Sequence, residues 1–214
     1  MTKGIPIFLR LVVVVYFFTI PVFSQSLKKS ISQLESAKTI DELIASEQNF
    51  LKLIDEKKKL HEAYYYGALN NLYLAFLDTM RTDDYCARAD KFLHQLDSLA
   101  PNNCEAYVLM AMSAGARITV DKLGRQIKYG TLANKHSDRA TSINPENPRA
   151  WLIKAKTVMN APPKLGGGPK FAMKYYQKSV DKYKTFKPLT DTEPDWGKEM
   201  AQKEYEECKA KTAK

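Results

Sequence analysis

From Gln25 onward, the apolar residues of this chain recur at three- and four-residue intervals, broken only by short clusters of Pro, Gly and Asn. That periodicity constrains the fold more than any other feature. Ile40, Leu43, Ile44, Phe50, Leu51 and Ile54 share one helical face. Thr39 and Glu42 have the spacing of a capping box at its start, and Lys57-Lys58-Lys59 suits its C-terminal end. A second helix is predicted from about Leu60 to Met80, and a third opens at Thr82-Asp83-Asp84 and stops at Pro101. Further helices are predicted at Cys104–Ile118, Lys122–Ser142, Pro148–Asn160, Pro169–Lys184 and Pro194–Lys211. Only Ile118-Thr119-Val120 reads as a short β-like run. Nine glycines in 214 residues also argue against folds built on many tight turns. The prediction is an all-α chain.

The helices repeat. Ala89, Leu93, Leu96 and Pro101 keep the spacing of the second helix of a tetratricopeptide (TPR) unit, as do Ala133, Ser137, Ala140 and Pro145. Six residues after each proline, Tyr107 and Trp151 begin a first-helix pattern completed by Met110 with Ala111 and by Ala155. Ala172, Tyr176 and Ser179 supply a third second-helix set. Small residues at these positions let paired helices approach, and stacking then buries a continuous core. The expected architecture is therefore stacked antiparallel helix pairs in a right-handed TPR-like superhelix, with about three irregular repeats plus flanking helices. Pro101 and Pro145 stand 44 residues apart, not 34, which predicts an insertion of about ten residues in a loop around Ile118 to Leu123.

Residues 1–24 read as a separate segment. Lys3 and Arg10 precede an apolar stretch from Leu11 to Phe23, and Val22 and Ser24 suit a signal-peptidase site near Ser24/Gln25. The stretch is short of the ~20 residues of a membrane span, so export to the periplasm or beyond is expected, with residues 25–214 as one helical-repeat domain. Retention of the leader as an anchor is the alternative. The formal charge of +9 falls to +7 once Lys3 and Arg10 leave. Cys86 and Cys104, separated by a predicted helix, stand about 27 Å apart at 1.5 Å per residue, beyond disulfide reach. Cys208 is open to either partner, and free buried thiols are the simpler expectation.

Several segments together resemble a bacterial family of exported TPR-type proteins of unassigned activity. They are Tyr64-Tyr65-Tyr66, Ala100 to Glu105, Ala116-Arg117 with Gly124-Arg125, Asn144 to Ala150, Gly166-Gly167-Gly168, and Pro194-Asp195-Trp196-Gly197. The resemblance spans roughly residues 40 to 210 and implies a fold and a compartment, not a reaction. The Gly-Gly segment running into an Ala-bearing helix is also similar to exported helical-repeat subunits associated with solute transporters.

No constellation for catalysis emerges. Gly166-Gly167-Gly168-Pro169-Lys170 lacks phosphate-loop spacing, His61, His94 and His136 have no metal-ligand partners at suitable offsets, and Asp83-Asp84 suits a helix first turn. An enzyme, a cofactor and a metal are not expected. Nucleic acid is disfavoured as a partner by export and by the absence of a known module. Lys170, Lys174, Lys178 and Lys182 form a row on one helix face, and residues 164–214 carry a net charge of +4. That row is expected to be solvated, with weak contact to an anionic envelope polymer as its functional alternative.

Three consecutive tyrosines span about 200° of a helix, so Tyr64, Tyr65 and Tyr66 are not expected to share one buried stripe. With Tyr73, Arg117, Arg125, Arg149 and Trp151, Tyr64 and Tyr66 define a predicted aromatic–cationic surface lining the concave groove. The function expected is binding of a protein or peptide partner in that groove. The alternative is a periplasmic solute-binding or transporter-associated subunit.

Overall fold

A computed structural model describes residues 25–56 and 60–212; the predicted leader lies outside the described residues. Residues 25–36 form helix α1. It is followed by α2 (Ile40–Glu56), α3 (His61–Leu77), α4 (Thr82–Leu99), α5 (Cys104–Val120), α6 (Lys122–Ile143), α7 (Pro148–Asn160), α8 (Pro169–Tyr183) and α9 (Lys198–Thr212). Short 3-10 turns at Thr79–Arg81 and Pro163–Leu165 precede α4 and α8, and the described residues contain no strand.

The caps set the helix boundaries. Thr39 and Glu42 form the expected box: the Glu42 N–H donates to Thr39 Oγ1 at 3.2 Å, and the Thr39 N–H donates to Glu42 Oε2 at 3.0 Å. Asn103 and Asn147 are the N-caps of α5 and α7, each side chain accepting from the amides of the second and third residues of its helix.

Antiparallel pairs α3–α4, α5–α6 and α7–α8 stack side by side, as the repeat spacing predicts. The first helices of successive pairs touch, α3 with α5 and α5 with α7. The second helices α4, α6 and α8 do not pack on one another to a comparable extent. The stack therefore curves with its first helices inside. One core runs from Leu27 to Cys208, and the small residues Ala89, Ala106, Ala111, Ala140, Ala155 and Ala172 lie buried where helices meet. Glu47 ties three helices together, accepting from Asn71 at 2.8 Å and from Arg88 at 2.9 Å.

Four details differ from the sequence expectation. All three of Tyr64, Tyr65 and Tyr66 are buried, because α3 packs against α2, α4 and α5 and so is covered around most of its circumference. The extra residues between Pro101 and Pro145 are helical: Asp121 alone separates α5 from the 22-residue α6. α9 begins at Lys198, leaving residues 184–197 as an irregular segment. Helix α1 is not among the helices expected from sequence; Cys208, by contrast, is buried and free like Cys86 and Cys104, as expected.

The glycine loop is a chain reversal. The amides of Gly166, Gly167 and Gly168 donate to the carbonyls of Pro163, Pro162 and Val158, so none points outward to a phosphate. A Cβ on Gly167 would fall 2.0 Å from the Ala161 oxygen.

Candidate functional site

Two surfaces stand out, at opposite ends of the helix pairs. The first is the inner face near the N-terminal ends of α3, α5 and α7. Arg149, the second residue of α7, is buried and donates from Nε and Nη2 to Glu105 Oε1 at 2.9 and 2.7 Å. Asn147 donates to the same oxygen at 2.6 Å, and Tyr65 donates to Glu105 Oε2 at 3.4 Å. Burial opposes the charge of Arg149, yet the Glu105 carboxylate more than offsets it, and the guanidinium is held more strongly protonated than usual. Burial first, and Glu105 second, push the Tyr65 hydroxyl well above its ordinary value.

Residues 184–197 cover this network. The Arg149 guanidinium lies 4.7 Å from the Phe186 ring centroid and 5.9 Å from that of Trp196. Trp196 Nε1 donates to Tyr65 Oη at 2.8 Å, Tyr66 Oη donates to the Thr192 carbonyl at 3.1 Å, and Tyr183 Oη donates to the Trp196 carbonyl at 2.8 Å. Asp191 reaches across to Lys28 of α1.

The seven groove residues of the sequence reading fall into separate places. Tyr66 and Arg149 lie on the covered inner face, and Tyr64 is buried within α3. Tyr73, farther along α3, is half-buried, and burial followed by Glu35 pushes its hydroxyl up to about 12. Arg117 pairs with Asp90 at 2.7 Å, and Arg125 grips both oxygens of Asp83 at 2.7 and 2.8 Å; both arginines belong to the far end of the α5–α6 pair. Trp151 stacks on Tyr175 of α8, with rings 6.2 Å apart and Lys178 over its face at 4.2 Å. Glu105, Tyr65, Phe186 and Trp196 complete the inner network and were not singled out as site residues by sequence. The available signal was the repeat itself, since Glu105 and Arg149 stand 44 residues apart, the spacing of Pro101 and Pro145.

The second surface is the edge formed by the turns within each pair. The helical insertion carries the α5–α6 turn outward, so the first half of α6 contributes nothing to the core; its buried residues begin at Ala133. Leu123 is 94% exposed, Met80 92%, Ile127 75% and Leu165 70%. The turns are tied to one another by Arg125–Asp83 and by Gln126, which donates to the Asn160 carbonyl at 2.8 Å. Arg81, Lys122, Lys128 and Lys164, each next in sequence to one of these apolar residues, are exposed as well. These side chains are therefore outside the core and open to solvent.

Among the described residues, no group of three or more His, Cys, Asp or Glu could hold a metal ion, and no helix is long and apolar enough to cross a membrane. No family model matches the chain, and no curated protein does. A solved structure does. The chain is similar along nearly its whole length to HusA, a haemophore from Porphyromonas gingivalis. Identity is 27%, the alignment covers 89% of this chain and 94% of HusA, and the TM-score is 0.82. HusA is a binding protein, not an enzyme, and this chain shares its all-helical architecture.

Proposed function

We propose that this chain is an exported binding module of the haemophore type, carrying a tetrapyrrole such as haem on the edge formed by its pair turns. The observation that carries the reading is that edge: Met80, Leu123, Ile127 and Leu165 stand in solvent beside Arg81, Lys122, Lys128 and Lys164. A tetrapyrrole of the haem type presents an apolar plane and two carboxylates, and the edge offers an apolar surface bordered by ammonium groups. Similarity to HusA over 89% of the chain supports the same class of ligand. Of the two functions expected from sequence, the solute-binding alternative is thus preferred; a partner in the groove first requires the inner face to be uncovered. The leader-like segment and the exported-family resemblance support an extracytoplasmic location.

His61, His94 and His136 all belong to helix stretches away from this edge, so binding there relies on apolar contact and carboxylate–ammonium pairing, not on histidine ligation to iron. The test is titration of residues 25–214 with haem and with metal-free protoporphyrin IX, followed by the Soret band and by tryptophan quenching. Saturable binding of both is expected, weakened about tenfold by each of Leu123→Ser and Ile127→Ser, since exposing either side chain again forfeits ~1.5 kcal/mol or more. Absence of saturable binding, or equal affinity in both variants, overturns the reading.

A further inference from the structure

The connection between α8 and α9 is far longer than the stack requires. Four residues make the corresponding turns at 100–103 and 144–147, whereas 184–197 takes fourteen. Connections of this length without regular structure are uncommon in compact domains and are usually functional. This one runs over the inner face and touches α1, α3 and α7 through Asp191, Thr192, Phe186 and Trp196.

Its manner of attachment is that of a bound peptide. Among the described residues, no backbone–backbone hydrogen bond joins it to α1, α3, α5 or α7; those within it close its own turns or adjoin α8 and α9. The helices hold it with side chains: the hydroxyls of Tyr65 and Tyr66 and the guanidinium of Arg149. Beneath it, Arg149 Nη1 is buried without a hydrogen-bond partner, so the guanidinium keeps capacity for an anionic group.

We propose that the inner face is a peptide-docking groove that the chain fills in cis with residues 184–197. Its partner is another protein presenting an extended, proline-containing acidic segment that ends in tryptophan, the chemistry of Pro188 to Trp196. Tyr65 and Tyr66 take the segment's polar groups, and Arg149 receives its aromatic side chains and an added carboxylate. In cis the occupant acts at an effective concentration of about millimolar, so the groove opens only to a partner presented at comparable local concentration.

The test uses residues 25–214 with 185–196 replaced by a Gly/Ser linker of equal length, and a fluorescent peptide copying residues 184–197. The peptide is expected to bind the replaced chain with roughly micromolar affinity and the native chain at least tenfold more weakly. The Trp196→Ala peptide is expected to bind at least tenfold more weakly than its parent. No binding to a replaced chain that keeps its helical circular dichroism, or equal binding to both chains, overturns the proposal. Should the replaced chain not fold, the native chain with a protease site introduced at the exposed Leu189 decides. Excess peptide is expected to accelerate cleavage there severalfold, and an unchanged rate overturns the proposal. Porphyrin titration of the same chains reads the opposite edge, so the two proposals fail separately.

Discussion

Glu105 and Arg149 occupy equivalent positions in successive repeats, 44 residues apart, and meet as an ion pair with Nη2 to Oε1 at 2.7 Å, the arginine buried and the glutamate partly so. Each is the second residue of a helix capped by asparagine, and the stack brings the two helix starts together. Removing Glu105 strands the buried guanidinium, and removing Arg149 leaves the carboxylate with only Asn147 and Tyr65. Arg149→Leu and Glu105→Leu are each expected to destabilise by about 3–5 kcal/mol, and the double replacement by less than their sum. Urea unfolding followed by circular dichroism measures all three. Strict additivity would show that the pair is not a pair energetically.

Alkaline pH is expected to unfold the protein through groups that must stay neutral. Burial pushes the Cys86 thiol up to about 11 and that of Cys104 up to about 12, from an ordinary 9.0. Their contribution is complete below pH 9, where both folded and unfolded thiols are protonated. It is lost as pH rises toward 11–12, where only the unfolded thiols ionise freely. The melting temperature is expected to hold from pH 7 to 8.5 and fall by pH 11. Cys104→Ala should flatten that fall by on the order of 1–2 kcal/mol. An identical slope in the variant would remove the thiol from the account.

Glycines divide by what surrounds them. Gly197 has φ +103, and a Cβ there would lie 2.3 Å from Tyr183 Oη, so Gly197→Ala is expected to cost about 1–3 kcal/mol. Gly130 lies within α6 with nothing within 4 Å of an added Cβ, and Gly130→Ala is expected to stabilise by about 0.5–1 kcal/mol. Thermal melts of the two variants should move in opposite directions.

The exposed edge should be silent in folding. Leu123→Ser with Ile127→Ser is expected to leave stability within about 0.5 kcal/mol of the parent, because neither side chain is buried. A larger loss would assign these residues to packing and withdraw the edge as a ligand surface.

Sequence spacing is enough to place α2 to α8 and their pairing, because caps and small residues act locally. The Thr39–Glu42 box and the alanines at helix crossings are read directly from residue order. The site was less legible. Of the residues expected in one groove, Tyr66 and Arg149 both meet the segment 184–197, whereas Arg117, Arg125 and Trp151 pair elsewhere, since a composition of aromatics and arginines carries no information about which end of a helix faces inward. Trp196 was read as part of a helix starting at Pro194, and nothing in residue order says that an irregular segment turns back over a distant tyrosine. The exposure of Leu123 was hidden for a related reason: the insertion was read as loop, whereas helical residues there lift the turn clear of its neighbours.

A stack of helix pairs is ordinarily an open spring, in which each unit feels only its neighbours and the ends unravel independently. The segment 184–197 ties the last units to α3 and α1, so the spring has its two ends fastened. Loosening the N-terminal helices then releases Trp196, and releasing Trp196 uncovers Arg149 at the start of α7. Such a molecule resists fraying and gives way all at once, and pulling on either terminus strains the same knot.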